Sequence, residues 1–174
     1  MDFDKFAKLI ALLESSGGKN TKHRTIDKGL QTGQTAVGKY GLLPNTMEEM
    51  LKRSKMEGTQ LPDMQAVDGL PQAEIASKVA KNPDLEEELA FRLYDHISKK
   101  TQDPEKMAYM WNTGHNMNPD DIDVSDSTYV DKFNKQLKAD PDRDNILKAE
   151  IERRIKEEEG DPRMAALDKL SRGL

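Results

Sequence analysis

Residues 3–18 read FDKFAKLIALLESSGG, and the placement of their apolar side chains decides the fold class. Phe3, Phe6, Leu9, Ile10 and Leu13 fall at three- and four-residue spacings, which predicts a helix over 3–13 with one buried stripe. The run Ser15-Ser16-Gly17-Gly18 then stops it, so Glu14 stands at the C-terminal end of that helix. Asp2, Asp4, Lys5 and Lys8 interrupt the apolar residues and no small-residue cleavage site follows. The segment therefore reads as an amphipathic helix rather than a signal peptide.

Helical periodicity continues outward from this segment and strand is scarce. The polar stretch 19–34 has no clear period and reads as an active-site loop with room for a short strand pairing. After the compact run AVGKYGLL at 36–43, Pro44-Asn45-Thr46 opens a helix to about Lys55, with Thr46 as its N-cap and Glu49 as the capping-box partner. Residues 56–70 are loop-like, and Pro71 starts a further helix to about Lys81. Asn82-Pro83-Asp84 caps a core helix striped by Leu85, Leu89, Leu93 and Ile97 to about Lys100. Another begins near Asp103-Pro104 and stops at Asn112-Thr113-Gly114. Tyr129, Val130, Phe133 and Leu137 mark the last helix before Asp140-Pro141-Asp142, a boundary signal. Beyond it, residues 143–159 are charged nearly all round, with a narrow seam of Ile146, Leu147, Ile151 and Ile155 suited to a docking arm. The expected organisation is a mainly α domain over 1–139 and a charged helical extension over 140–174.

Composition bounds the function. The 174 residues suit one domain with an appendage, and the 35% hydrophobic and 34% charged content fits a lean globule with an exposed charged helix. Acidic and basic side chains, 32 and 27 of them, are mixed along the sequence to a net charge of −5. No basic face emerges that could neutralise phosphates, which disfavours nucleic acid as a partner. There is no cysteine, hence no disulfide or thiolate zinc site, and no apolar stretch of about 18 residues that could span a membrane.

Four local patterns follow one another: ESSGG at 14–18, AVGKYGLLPNT at 36–46, NPDLEEELAFRLYDHI at 82–97 and MAYMWNTGHN at 107–116. In that order and spacing they resemble the lysozyme-like lytic transglycosylases, the group that includes goose-type lysozyme relatives and phage enzymes. The run Ser127-Thr128-Tyr129-Val130 resembles the family's closing Thr-x-x-Tyr-Val element with compressed spacing. The resemblance spans about residues 1–137 and implies a lysozyme-like α+β fold with little or no strand. It also implies cleavage of peptidoglycan glycan strands with Glu14 as the catalytic residue. Ser15, Ser16, Tyr40, Gly41, Trp111 and Asn112 are the substrate-binding positions it carries over. Two of these depart from the family pattern: glutamine is common where this chain has Gly41, and tyrosine where it has Trp111.

Elementary chemistry gives an independent reason for such a glutamate. Cleaving a glycosidic bond requires a proton on the leaving oxygen, so a carboxyl must stay protonated near neutral pH. Apolar walls and the negative pole of a helix C-terminus both favour that state. Tyr40 would offer a flat face and a hydroxyl to a sugar, Asn112 an amide to an N-acetyl or hydroxyl group, and Trp111 a stacking surface. Each has a plainer reading, Glu14 as a helix end before a glycine cap and Tyr40 and Trp111 as core.

In the family's mechanism one glutamate protonates the leaving oxygen and then takes a proton from the muramyl 6-hydroxyl, closing a 1,6-anhydro ring. A true hydrolase needs a second carboxylate, for which Asp27 in the loop before AVGKYG is the candidate, though loop aspartates are usually turn residues. His23, His96 and His115 show no ligand spacing, so no metal is expected, nor any cofactor. A non-catalytic lysozyme-like module in a virion or secretion assembly, docked through residues 140–174, is the competing class. By analogy the setting is a phage virion, or the host cell wall and periplasm after delivery.

Overall fold

The computed structural model describes residues 1–20, 22–25 and 33–139. Asp27 and the whole 140–174 extension lie outside the described residues. The protein is mainly helical. Its elements in chain order are α1 (Phe3–Ser15), β1 (Lys22–Thr25), β2 (Thr35–Val37), α2 (Pro44–Met56), α3 (Pro62–Gln65), α4 (Gln72–Val79), α5 (Pro83–Ser98), α6 (Pro104–Thr113), a 3-10 turn at Pro119–Asp121 and α7 (Thr128–Ala139). The two strands pair antiparallel with Lys22 opposite Val37 and Thr25 opposite Thr35, an irregular register that needs a bulge between them. The compact unit runs from Met1 to Gln136.

α5 is the axis of the bundle and packs against α1, α2, α4 and α6. Asn82 starts it by accepting the Leu85 N–H at 3.2 Å, with Pro83 at the first turn, where a missing N–H does no harm. Its stripe of Leu85, Leu89, Ala90, Leu93 and Ile97 is fully buried, each large side chain contributing about 1.5–3 kcal/mol of apolar transfer. Phe6 of α1 is the hub of a second cluster, with ring centroids 5.5 Å from Tyr94, 5.6 Å from Trp111 and 5.9 Å from Phe133. Those contacts gather one ring each from α5, α6 and α7 onto α1, and so draw the helix ends that carry Glu14, Asn112 and Tyr129 toward one another.

Two local expectations are corrected. α2 is capped by Leu43 without a side-chain hydrogen bond and begins at Pro44, so Thr46 is a buried first-turn residue and not the N-cap. Pro44 at the first turn fixes the start three residues early. Within the loop-like stretch 56–70, Pro62 nucleates the short α3, whose Met64 is fully buried.

Candidate active site

Glu14 sits one residue before the end of α1, where the chain reverses through Ser16 in a left-handed conformation (φ 54°) and the Gly17 N–H returns to the Ala11 carbonyl at 2.8 Å. This is a Schellman-type stop with Ser16 in the left-handed position, and Gly17 and Gly18 after it also hold positive φ, 75° and 89°. Ser15 beside it is 1% exposed. Its hydroxyl lies 2.7 Å from the Lys39 carbonyl and 3.0 Å from that of Ala11, and accepts from the Gly18 N–H at 2.7 Å. Ser15 therefore pins the end of α1 to the 38–41 turn. Neither Ser15 nor the exposed Ser16 is among the residues lining the cleft with Glu14, and the Ser15 hydroxyl is taken up in holding the helix end.

The Glu14 carboxylate is half-buried, and Oε1 accepts a hydrogen bond from the Tyr129 hydroxyl at 2.7 Å. Burial pushes its carboxyl above the ordinary range, and the Tyr129 hydrogen bond and the field of His23 pull it back only in part. Burial and the adjacent carboxylate also push the Tyr129 phenol up, so it stays a donor throughout the working pH range. Beneath the carboxylate lies Gly41 at φ +65°, where an added Cβ would stand 2.6 Å from Glu14 Oε2. The departure from glutamine thus has a geometric cause in this chain: the backbone fills the place of a side chain and seats the acid.

Glu14 opens on a cleft of about 220 Å³ shared with His23, Gly41, Trp111, Asn112 and His115. Among the described residues lining it, Glu14 is the only carboxylic acid. Asn112 is exposed at its rim. Trp111 is half-buried, with its indole N–H donating to the Tyr40 carbonyl at 3.3 Å and its ring against Phe6, so it presents only part of its surface to the cleft. A roomier groove of about 580 Å³ between Phe3, Leu61 and Phe91 lies elsewhere. Three of its four acids, Asp63, Asp84 and Glu87, are exposed, and Glu88 is paired with Arg92 at 2.6 Å. Size does not make a proton donor, and the smaller cleft holds the half-buried acid raised above its ordinary range.

Tyr40 is the clearest correction. It is 3% exposed and lies off the Glu14 cleft, with its hydroxyl accepting from Lys39 Nζ at 3.2 Å. Its backbone N–H donates to Glu86 Oε1 at 2.8 Å. Tyr40 is core, and what it contributes to the site is its backbone. Asp27 lies outside the described residues.

Three groups went unread in the sequence. Tyr129 was legible as an apolar-stripe residue and as part of a closing motif, but nothing local points its hydroxyl at an acid 115 positions earlier. Glu86 is 7% exposed, and burial pushes its carboxyl up against hydrogen bonds from the Tyr40 and Lys39 backbone that lower it. A Cβ on Gly38 would fall 2.4 Å from that carboxylate, so Glu86 is the template on which the 38–41 turn is folded. Its signal was available: Glu86 is spaced three and four residues from Leu89 and Ala90, on the buried face. Glu49 accepts from Arg53 Nη2 at 2.7 Å, His115 Nε2 at 2.9 Å and Asn116 Nδ2 at 3.1 Å. Burial alone would raise the Glu49 carboxyl, yet these hydrogen bonds outweigh it and hold it at about 2. It anchors the turn after α6 to α2.

Compared with known protein families, curated proteins and solved structures, the chain finds no match. Among the described residues no cluster of histidine and acidic side chains is arranged to hold a metal ion, and no helix is long and apolar enough to cross a membrane.

Proposed function

We propose that the chain is a peptidoglycan lytic transglycosylase that cleaves the MurNAc–GlcNAc β-1,4 bond, with Glu14 acting first as acid and then as base. Protonated Glu14 gives its proton to the glycosidic oxygen as that bond breaks. The resulting carboxylate, held by the Tyr129 hydroxyl, takes the proton of the muramyl 6-hydroxyl as its oxygen closes on C1, restoring the acid and leaving a 1,6-anhydromuramyl end. The observation that carries this reading is one half-buried carboxyl, raised above its ordinary range and facing a cleft with an exposed amide at its rim. A hydrolase would need a second carboxylate opposite the first. The described part of the cleft offers Glu14 alone, which favours the single-residue route. On the same reading the enzyme works on glycan strands as part of a phage particle or lysis system, with residues 140–174 as its docking arm.

Digestion of purified peptidoglycan followed by mass analysis of the soluble fragments tests this. Anhydromuramyl ends are expected. Reducing ends would replace the transglycosylase with a muramidase, and a folded protein that binds the wall without releasing fragments would overturn the catalytic reading.

A further inference from the structure

The cleft also contains a matched acceptor and donor on the turn that closes α6. Asn112 and His115 stand three residues apart there and both line the cleft with Glu14. The Asn112 carboxamide is exposed and uncommitted to any other described residue. His115 is held differently. Its Nε2 lies 2.9 Å from Glu49 Oε2, and an ionised carboxylate has only lone pairs to offer, so the proton of that contact resides on Nε2. In the neutral ring Nδ1 is then the acceptor.

The surroundings fix the ring without using that atom. Arg53 and Asn116 hold Glu49 in place from α2 and from the same turn, Lys100 Nζ just beyond α5 donates to the His115 carbonyl at 2.9 Å, and the His96 ring packs edge-on at 5.6 Å. Nδ1 has no hydrogen-bond partner among the described residues and is not enclosed. The His115 side chain is 12% exposed and lines the cleft. An acetamido group presents one N–H and one carbonyl, and so requires one acceptor and one donor.

We propose that His115, locked in one tautomer by Glu49, accepts the acetamido N–H of a bound sugar while Asn112 donates to its carbonyl, so that the pair selects N-acetylated units. This deepens the peptidoglycan reading and rests on it. Glu49 is the positioning residue of the pair.

The test uses Glu14→Gln protein labelled with 15N in its histidine and asparagine side chains, titrated with chitotetraose and with cellotetraose, which carries hydroxyls where chitotetraose carries acetamido groups. Chitotetraose is expected to shift the His115 Nδ1 and Asn112 amide resonances, and cellotetraose to leave Nδ1 unmoved. If chitotetraose moves Asn112 but not His115, the inference falls while the reading of the cleft stands. Equal shifts with both sugars overturn the acetamido assignment. No shift anywhere in the cleft overturns the inference and the peptidoglycan reading together. In the active protein, His115→Phe keeps a ring packed against His96 and removes the acceptor together with the Nε2–H that Glu49 holds. The expected result is a KM for peptidoglycan raised about tenfold, the loss of one hydrogen bond, with kcat little changed. An unchanged KM in the folded variant overturns the proposal, and if that variant does not fold the resonance shifts decide.

Discussion

Replacing Gly41 by alanine puts a methyl group 2.6 Å from Glu14 Oε2 and 2.9 Å from its carboxyl carbon, closer than non-bonded carbon and oxygen approach. The new side chain also occupies a backbone at φ +65°, a left-handed conformation that costs an L-residue about 1–2 kcal/mol. Relief of the clash moves the Glu14 carboxylate away from Tyr129, whose buried hydroxyl loses its partner at about 1–3 kcal/mol. The expected destabilisation is the sum, about 2–5 kcal/mol. Gly58→Ala is the matched control, because Gly58 has φ +68° and nothing within 4 Å of its would-be Cβ, so it carries the backbone term alone. Urea unfolding of both variants at constant m separates the two terms. Displacing the acid by about 1 Å is also expected to lower peptidoglycan turnover about a hundredfold in Gly41→Ala and not in Gly58→Ala. Equal stability losses in the two variants, with full turnover retained by Gly41→Ala, would refute the seating of Glu14 on this glycine.

Tyr129→Phe removes the hydrogen bond that lowers the Glu14 carboxyl, so the acid should hold its proton to higher pH; the alkaline limb of the pH–turnover profile moves upward, and an unmoved limb would deny the contact a role. Ser15→Ala strips partners from the Lys39 carbonyl and the Gly18 N–H and should lower stability by about 1–3 kcal/mol, read from the urea midpoint. Glu86 is raised by burial, so its native state binds a proton that the unfolded chain has already released. Its contribution to stability is complete below the ordinary carboxyl range and lost as pH rises through the raised value. Glu86→Gln still accepts from the Tyr40 N–H, and the fall of the urea midpoint with rising pH should be shallower than in the wild type.

Much of the bundle was legible because its helices announce themselves. The Phe3–Leu13 stripe, the Asn82-Pro83 start and the Asn112-Thr113-Gly114 stop each correspond to an observed element within a few residues. Local periodicity also placed Glu14 at a helix end. Contacts across long separations were not legible. Tyr40 looked like a sugar platform because a tyrosine between glycines can face either way, and only Glu86, 46 residues later, turns its backbone inward. Glu49 has the spacing of a capping-box partner, yet it serves His115 and Asn116, 66 and 67 residues away. Gly41 stood out only as a departure from the glutamine of the family it resembles, since a sequence does not show that a glycine's empty side is occupied by another residue's carboxylate.

The central claim is that Glu14 is the group that breaks the glycan. Wild type and Glu14→Gln compared on dye-labelled peptidoglycan, with urea unfolding run on both, test it in one measurement. The amide oxygen still accepts the Tyr129 hydrogen and, like the protonated acid, carries no charge, so the variant should be about as stable as the wild type near neutral pH. It should release dye about 10²–10⁴ times more slowly. Release at the wild-type rate by the folded variant would contradict the account.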